Sequence, residues 1–479
     1  MNTNCPSQTN QQTLSKAISL FASFVLAGAL TACGGGGSSV NPNPTPTPTA
    51  KTVVQVNIGD APADWMLAFS MNMSSMSLTG ANGSVSVVSS SLPMEMMHLM
   101  GTMQPLAMIS APQGSYSGAS VTIASATVMY MAPVTKAPTQ KTITGPMTAT
   151  IQFSSPITVG TTPMAIGFDL DLAKSVTMDA GGNLAMNPVF HVSSGMQGSG
   201  NALDPMNGGV RHLMGTVSSM SGSSFSMTSM QAAQTFTFAT NSSTTFENIT
   251  MMSMMTNGML VVVDATLQAD GSLLATNVRS MMNSGGSMSG GMVTAVTGQP
   301  ATQCTVVMQN GTGTGMMSSM WASGATVTMN GSTTYQIDQD GMDMSSLPFT
   351  PSFDATHLYA GQSVMPVSTS GMSMGGGMMG GGSMGGSMSS SGMTLEPQGL
   401  SGTVSAAITS GSRTSFTMTL PSDSAFSALT GSTTVTVYQQ PGTMMSGSSI
   451  ASGATAHAFG LLFKDSGQWK MVASRMAAN

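Results

Sequence analysis

From Val53 onward the chain alternates apolar and polar positions with a period of two. Val54, Val56 and Ile58 alternate with Gln55 and Asn57, and Ser84 to Val88, Val121 to Val128, Thr148 to Phe153 and Met164 to Leu172 follow suit. Successive side chains of a strand point to opposite faces, so each run predicts a strand with one buried face. Clusters of Gly, Pro and Asn separate the runs as turns. Long helical periods are nearly absent, and the prevalence of Thr, Ser, Val and Gly disfavours helix. One short helix is expected around Leu92 to Met100. The pattern predicts an all-β protein with a β-sandwich-like domain over 52–195, followed by small β-barrels.

The downstream part contains an internal repeat. Gly-Thr-Val-Ser-Ser-Met from 215, Gly-Met-Val-Thr-Ala-Val from 291 and Gly-Thr-Val-Ser-Ala-Ala from 402 each open a unit. A second strand follows at Phe225 to Thr228, Thr305 to Met308 and Phe416 to Leu420. Next come Asn-Ser-Ser-Thr-Thr-Phe from 241, Asn-Gly-Ser-Thr-Thr-Tyr from 330 and Thr-Gly-Ser-Thr-Thr-Val from 430. Units one and three close with similar hairpins, starting at Leu260 and Phe459. Five strands per unit predict a small, partly open barrel of the oligonucleotide- and oligosaccharide-binding kind. The units span 207–283, 288–397 and 398–479. In unit two the last hairpin enters near Gly361 to Val367 and returns at Met393 to Pro397. Between them, 371–392 form a Met/Gly/Ser-rich loop, too rich in glycine to fold alone.

Two resemblances rest on these residues. Ile-Gly-Asp-Ala-Pro-Ala-Asp at 58–64, Met-Ser-Leu-Thr at 76–79 and Pro-Gln-Gly-Ser-Tyr-Ser-Gly at 112–118 occur in order. Gly-Phe-Asp-Leu-Asp-Leu-Ala-Lys-Ser-Val at 167–176 and Met-Asn-Pro-Val-Phe-His-Val at 186–192 complete the series. Together they resemble the bacterial lipoprotein family catalogued as domain of unknown function 4382, which implies an exported β-domain and brings no activity with it. The repeats within 207–479 resemble the exported family catalogued as domain of unknown function 5666, unit one most closely.

The start of the chain addresses it to an envelope. Thr13 and Lys16 precede an apolar run from Ala17 to Leu30, too short to span a bilayer and suited to a signal peptide over 1–32. Leu30-Thr31-Ala32-Cys33 reads as a lipobox, with Cys33 as the lipidated residue. Several acyl chains on one cysteine hold a protein at a membrane where a single chain is marginal. Gly34 stands where an Asp often marks inner-membrane retention, which points to the outer membrane, facing periplasm or cell surface. Residues 33–51 are a Gly/Pro/Thr tether of extended polyproline character.

Charge narrows the partners. Only 6% of residues are charged and 11 Lys+Arg leave a net charge of −6, which excludes a basic nucleic-acid surface. Once Cys5 leaves with the signal and Cys33 carries lipid, Cys304 stands alone and no intrachain disulfide forms. Its strand-like run beside Val306 and Val307 predicts a buried, inert thiol.

The candidate chemistry is methionine, with 52 residues. Thioethers suit Cu(I) and Ag(I) and need no deprotonation. Met94, Met96, Met97 and Met100 surround His98, Met251 to Met255 form a second cluster, and the loop of unit two carries Met372, Met374, Met378, Met379, Met384, Met388 and Met393. Competing readings are flexible core filling, neutral low-complexity expansion and sacrificial oxidation. Asp169 and Asp171, two apart on a strand, share a face and with Asp60 or Asp64 make either a calcium site or strand-end caps. Asp338 to Asp343 has the look of a calcium loop, but Phe349 occupies the twelfth position, where a bidentate Glu belongs; a simple turn is the alternative. His98, His191, His212, His357 and His457 are scattered without metal-ligand spacing, and no catalytic motif has its structural context. The expected role is non-enzymatic: a structural or binding lipoprotein of the envelope, without a cofactor, meeting an envelope protein or polysaccharide. The alternative is a Met-rich Cu(I)/Ag(I) binding or buffering protein.

Overall fold

The computed structural model describes residues 50–478 except 62, 100–102, 133–136, 180, 200, 230–234, 282–289, 309–323, 369–386, 406, 412 and 448–449. The signal segment, Cys33, the tether and Met100 lie outside the described residues, as do Met372, Met374, Met378, Met379 and Met384.

The first domain begins with β1 (Lys51–Ala61), β2 (Met66–Gly80), β3 (Gly83–Val88), β4 (Leu92–Glu95), β5 (Met103–Pro112) and β6 (Gly114–Met131). It continues with β7 (Pro138–Val159), β8 (Met164–Asp171), helix α1 (Leu172–Ser175), β9 (Val176–Met178), β10 (Leu184–Met186) and β11 (Phe190–Met196). One sheet runs β11-β8-β1-β5 and the other β3-β2-β6-β7, with β4 beside β2. Their apolar faces share one core: Val54, Val56, Ile58 and Phe168 from the first sheet meet Phe69, Met73, Val121 and Ile123 from the second. This is a β-sandwich. The helix expected around Leu92 to Met100 is instead β4, paired with β2, followed by a single 3-10 turn over Met97–Leu99. Met94 reaches the core from β4, and Met96, Met97 and Leu99 continue into it from the bend and the turn, a set of buried positions that no single helix face covers. Glu95 Oε1 accepts the N–H groups of Phe69 and Met97 at 3.3 and 3.1 Å and pins the bend.

Three barrels follow. Barrel 1 contains β12 (Gly209–Ser221), β13 (Ser224–Ser229), β14 (Thr235–Ala239), β15 (Thr245–Glu247), β16 (Leu260–Leu267) and β17 (Leu273–Ser280). Barrel 2 contains β18 (Gly291–Gly298), β19 (Ala301–Met308), β20 (Ala325–Thr328), β21 (Thr334–Ile337), β22 (Ser363–Ser368) and β23 (Ser387–Leu395). Barrel 3 contains β24 (Gln398–Val404), β25 (Ile408–Ser410), β26 (Arg413–Thr419), helix α2 (Ala425–Thr430), β27 (Thr434–Gly447), β28 (Thr455–Asp465) and β29 (Gln468–Ala478).

Each barrel closes on itself through the same connectivity. In barrel 1, β12 lies between β13 and β16, and β14 joins β17 in parallel at Phe238↔Leu273. Barrel 2 closes through parallel β20 and β23, and barrel 3 through β24 and β26 with β27 parallel to β29. A five-stranded Greek-key cylinder of this kind is the architecture of oligonucleotide- and oligosaccharide-binding barrels.

The repeated sequence motifs now have causes. A Cβ on Gly215 or on Gly402 would sit 2.4 Å from the carbonyl oxygen of Thr228 or Thr419 on the next strand, so each opening glycine lets two backbones approach. In the Ser-Thr-Thr motifs, the buried hydroxyls of Thr244 and Thr333 donate to the carbonyls of Ala275 and Ser390, at 2.8 and 2.9 Å, and clip the turn to the last barrel strand. In unit three that clip is made by Thr443, which donates to Ala473 at 2.7 Å. The Thr-Gly-Ser-Thr-Thr-Val segment from 430 instead ends helix α2, with Gly431 as its left-handed cap.

Candidate functional site

The outer face of the first sheet is built to receive other modules. Asp169 and Asp171 share that face, and His191 stands directly opposite Asp169 in the β8–β11 ladder. Buried Gln55 and Asn57, on the same face of β1, donate to the carbonyls of Gly209 and Pro205 at 3.3 and 2.8 Å, which seats the linker to barrel 1. Gly167 leaves room there for Met103 and Met206, whose Sδ and Cε would lie 2.6 and 2.5 Å from an added Cβ.

A cavity of about 670 Å³ opens beside this face, between the sandwich, barrel 1 and barrel 3. Asp60, Asp169 and Asp171 line it together with the imidazoles of His191 and His457. Four methionines, Met103, Met206, Met444 and Met445, form much of its apolar wall. Lys174, Arg211 and Arg475 supply positive charge. Lys174 Nζ and His191 Nε2 pair with Asp171 Oδ2 at 2.7 and 3.2 Å. Burial alone would raise the pKa of Asp171; its hydrogen bonds to Lys174 and His191 outweigh this and lower it. Asp169 is pushed up to about 6 by burial and by the charge of Asp171, with His191 acting the other way. Asp60 is 1% exposed, both of its carboxylate oxygens lack a hydrogen-bond partner, and burial, then Asp169 and Glu95, push it well above the usual range. Asp60 is thus an acceptor awaiting a donor. Another cavity, of about 720 Å³, is lined by Trp65, Tyr130, Met131 and Met178 and brings no such set of acids and bases together.

Behind Arg211 and Arg475 lies a buried charge cluster. The chain has four arginines, and three of them, Arg211, Arg279 and Arg475, converge here from barrels 1 and 3. A bulge between Val210 and Leu213 holds His212 at a φ of 55°, with its N–H donated to Asp264 Oδ1 at 2.7 Å. From barrel 2, Asp338 Oδ2 lies 3.2 Å from His212 Nε2, and Asp340 Oδ1 lies 3.4 Å from Nδ1. Arg279 Nη1 meets Asp338 Oδ1 at 2.5 Å, while Arg211 and Arg475 flank Asp340 at 3.8 and 3.7 Å. Burial would lower the pKa of His212, but Asp338 and Asp340 outweigh it and push it up to about 10. Burial would raise Asp340, but the hydrogen bond to His212 and the charges of Arg475, His212 and Arg211 outweigh it and hold Asp340 well below the carboxylate range. Glu396, between β23 and β24, is pushed up to about 7 by burial and the charge of Asp338. The segment that looked like a calcium loop therefore feeds an ionic cluster through Asp338 and Asp340, while Asp343 makes a turn with Ser345 and Ser346.

The methionines singled out in the sequence are dispersed. Met94, Met96 and Met97 are buried in the sandwich core, and Met388 and Met393 in the core of barrel 2. His98 has its backbone in the 3-10 turn, and its side chain lies outside the description. Met251 and Met254 are about half exposed, at 54% and 51%. Asp60, Asp169 and Asp171 do not converge as calcium ligands would; among the described residues the donor atoms that approach within 4.8 Å belong to His212, Asp338 and Glu396. Cys304 is buried in barrel 2, and burial pushes its thiol up to about 12. The residues missed by sequence reasoning are Met103, Met206, Met444 and Met445, and the convergent Arg211, His212, Arg279 and Arg475. A faint signal existed: Arg211-His212 are adjacent in a chain nearly devoid of cations.

Residues 214–279, within barrel 1, match the model of the family described as Domain of unknown function (DUF5666). No curated protein matches the chain.

Proposed function

We propose that this chain is a non-enzymatic outer-membrane lipoprotein, anchored through Cys33, that binds a donor-rich ligand at the bacterial envelope in the cavity beside Asp60 and Asp169. The observation that carries the reading is the Asp60 carboxylate on that cavity, both of whose oxygens lack a partner: a buried acceptor without a partner costs about 1–3 kcal/mol, which a ligand donor recovers. The lipobox Leu30 to Cys33, the tether and the likeness of 52–195 to the domain of unknown function 4382 lipoproteins support the address. The ligand chemistry is an amine or hydroxyl end facing the carboxylates and an apolar body lying on the methionines, as a short envelope polysaccharide segment or a protein side chain offers. Cys304 is sealed in a barrel, which takes its thiol away from nucleophilic chemistry.

Calorimetric titration with a glucosamine oligomer and with its N-acetylated counterpart tests this. Binding of either, weakened at least tenfold by Asp169→Asn, supports the reading; a preference for the free amine over the acetylated form identifies the donor. No heat with either oligomer removes it. Membrane association that survives Cys33→Ser would remove the anchor.

A second reading, Cu(I) binding, is favoured by one specific observation: four thioethers and two imidazoles line the same cavity. It predicts competition with a chromophoric Cu(I) chelator that is lost in the Met103→Leu/Met206→Leu variant. Loss on changing Met372, Met374, Met378, Met379 and Met384 to Leu would place the copper on the loop instead.

A further inference from the structure

Glu396 is 7% exposed, yet its Oε1 has no hydrogen-bond partner. Asp338 is 4% exposed, and its Oδ2 faces His212 Nε2 at 3.2 Å without hydrogen-bond geometry. One donor atom each from His212, Asp338 and Glu396 lies within 4.8 Å of the other two. We propose that these three residues form a binding site for a borderline divalent cation such as zinc, at the junction of the three barrels.

The backbone holds the ligands in place. Parallel pairing of β21 with β23 ends at Ile337↔Leu395, which sets Asp338 beside Glu396. The Asp338 amide donates to Leu395 and the Glu396 amide to Ser363, both at 2.9 Å. The bulge in β12 turns His212 toward them from barrel 1.

The donor set selects the class of ion. Calcium and magnesium take oxygen ligands, and Cu(I) takes sulfur; one imidazole nitrogen with two carboxylates suits zinc and its neighbours. Ligands about 2.0–2.1 Å from a tetrahedral ion stand about 3.3 Å apart, and the His212–Asp338 edge is already 3.2 Å. The surrounding groups follow the pattern of metal outer shells. Asp340 holds Nδ1 of His212 and leaves Nε2 for the ion. Arg279 occupies Oδ1 of Asp338 and leaves Oδ2. Ligation requires the lone pair of a neutral imidazole, so the ion would take the place of the proton on His212 Nε2.

The test uses the full chain in detergent, stripped with a chelator and reloaded with zinc alone. We expect one zinc per chain and an X-ray absorption spectrum with only nitrogen and oxygen neighbours, near about 2.0–2.1 Å. Glu396→Gln, which keeps side-chain volume, should weaken zinc about 100-fold or more in a chelator competition. Failure to retain zinc, a sulfur neighbour in the spectrum, or unchanged affinity in a folded Glu396→Gln protein overturns the proposal. Should that variant not fold by circular dichroism, the wild-type stoichiometry and spectrum decide alone.

Discussion

Asp340→Asn is the sharpest probe of how the modules are held together. Asp340 sits in barrel 2, 3% exposed at its side chain, and faces His212 and Arg211 of barrel 1 and Arg475 of barrel 3 at 3.4, 3.8 and 3.7 Å. With an effective dielectric constant of about 20, each such contact carries about 4–5 kcal/mol of gross attraction. Desolvation cancels most of it while the partners are intact. Removing the anion that these three cations share leaves them to repel one another where little water reaches. Loss of a partner from a buried pair costs about 3–5 kcal/mol, and we expect that range here, because Asn preserves volume and isolates the charge. The assay is urea unfolding in the presence of a chelator, so that no bound cation contributes. It is followed by the fluorescence of Trp469, which is buried in barrel 3 against Phe426 and Tyr359, in a background with Trp65→Phe and Trp321→Phe. The transition should move to lower urea and, if the cluster couples the barrels, separate from unfolding monitored by circular dichroism. A loss below about 1 kcal/mol would show that water or relaxation screens the cluster, and the argument for an electrostatic clamp would fall.

Three further outcomes are expected. Thiol titration of the membrane-purified protein should find none in the native state and one after unfolding, from buried Cys304; a reactive native thiol would mean that Cys33 is unmodified. Asp64 and Asp169 are raised to about 6, chiefly by burial, and Asp60 is raised as well. Raised carboxylates add stability below their unfolded pKa of about 4 and lose it as pH climbs through about 6. Melting should therefore occur at higher temperature at pH 5 than at pH 7.5, and Asp64→Asn should narrow the gap by about 1 kcal/mol; an unchanged gap would contradict the assigned burial. Gly215→Ala places a Cβ against the Thr228 carbonyl and should destabilise barrel 1 by about 1–3 kcal/mol in urea, where a neutral effect would refute the close-approach account of the repeat glycine.

Alternation and repetition are local properties, and they carried the all-β class, the sandwich-like domain and three small, partly open barrels into the sequence; that each barrel closes on itself was decided by the tertiary pairing. Val54, Val56 and Ile58 face a core because period two forces them to one side, whatever lies opposite. Gly215 and Gly402 recur because each unit repeats the same backbone approach. The candidate sites are different in kind. Parity says which face of a strand a residue takes, but not which module covers that face, so Met94 and Met393 read as ligands until packing placed them in separate cores. Conversely, Met206 and Met444 drew no notice until three modules enclosed one cavity. The bulge at His212 breaks parity and turns a histidine from barrel 1 toward Asp338 of barrel 2, more than a hundred positions away. No pattern along the chain encodes that meeting. It arises because closing each barrel fixes where strand ends emerge, and burial then sets Asp338 and Asp340 against His212, Arg211, Arg279 and Arg475.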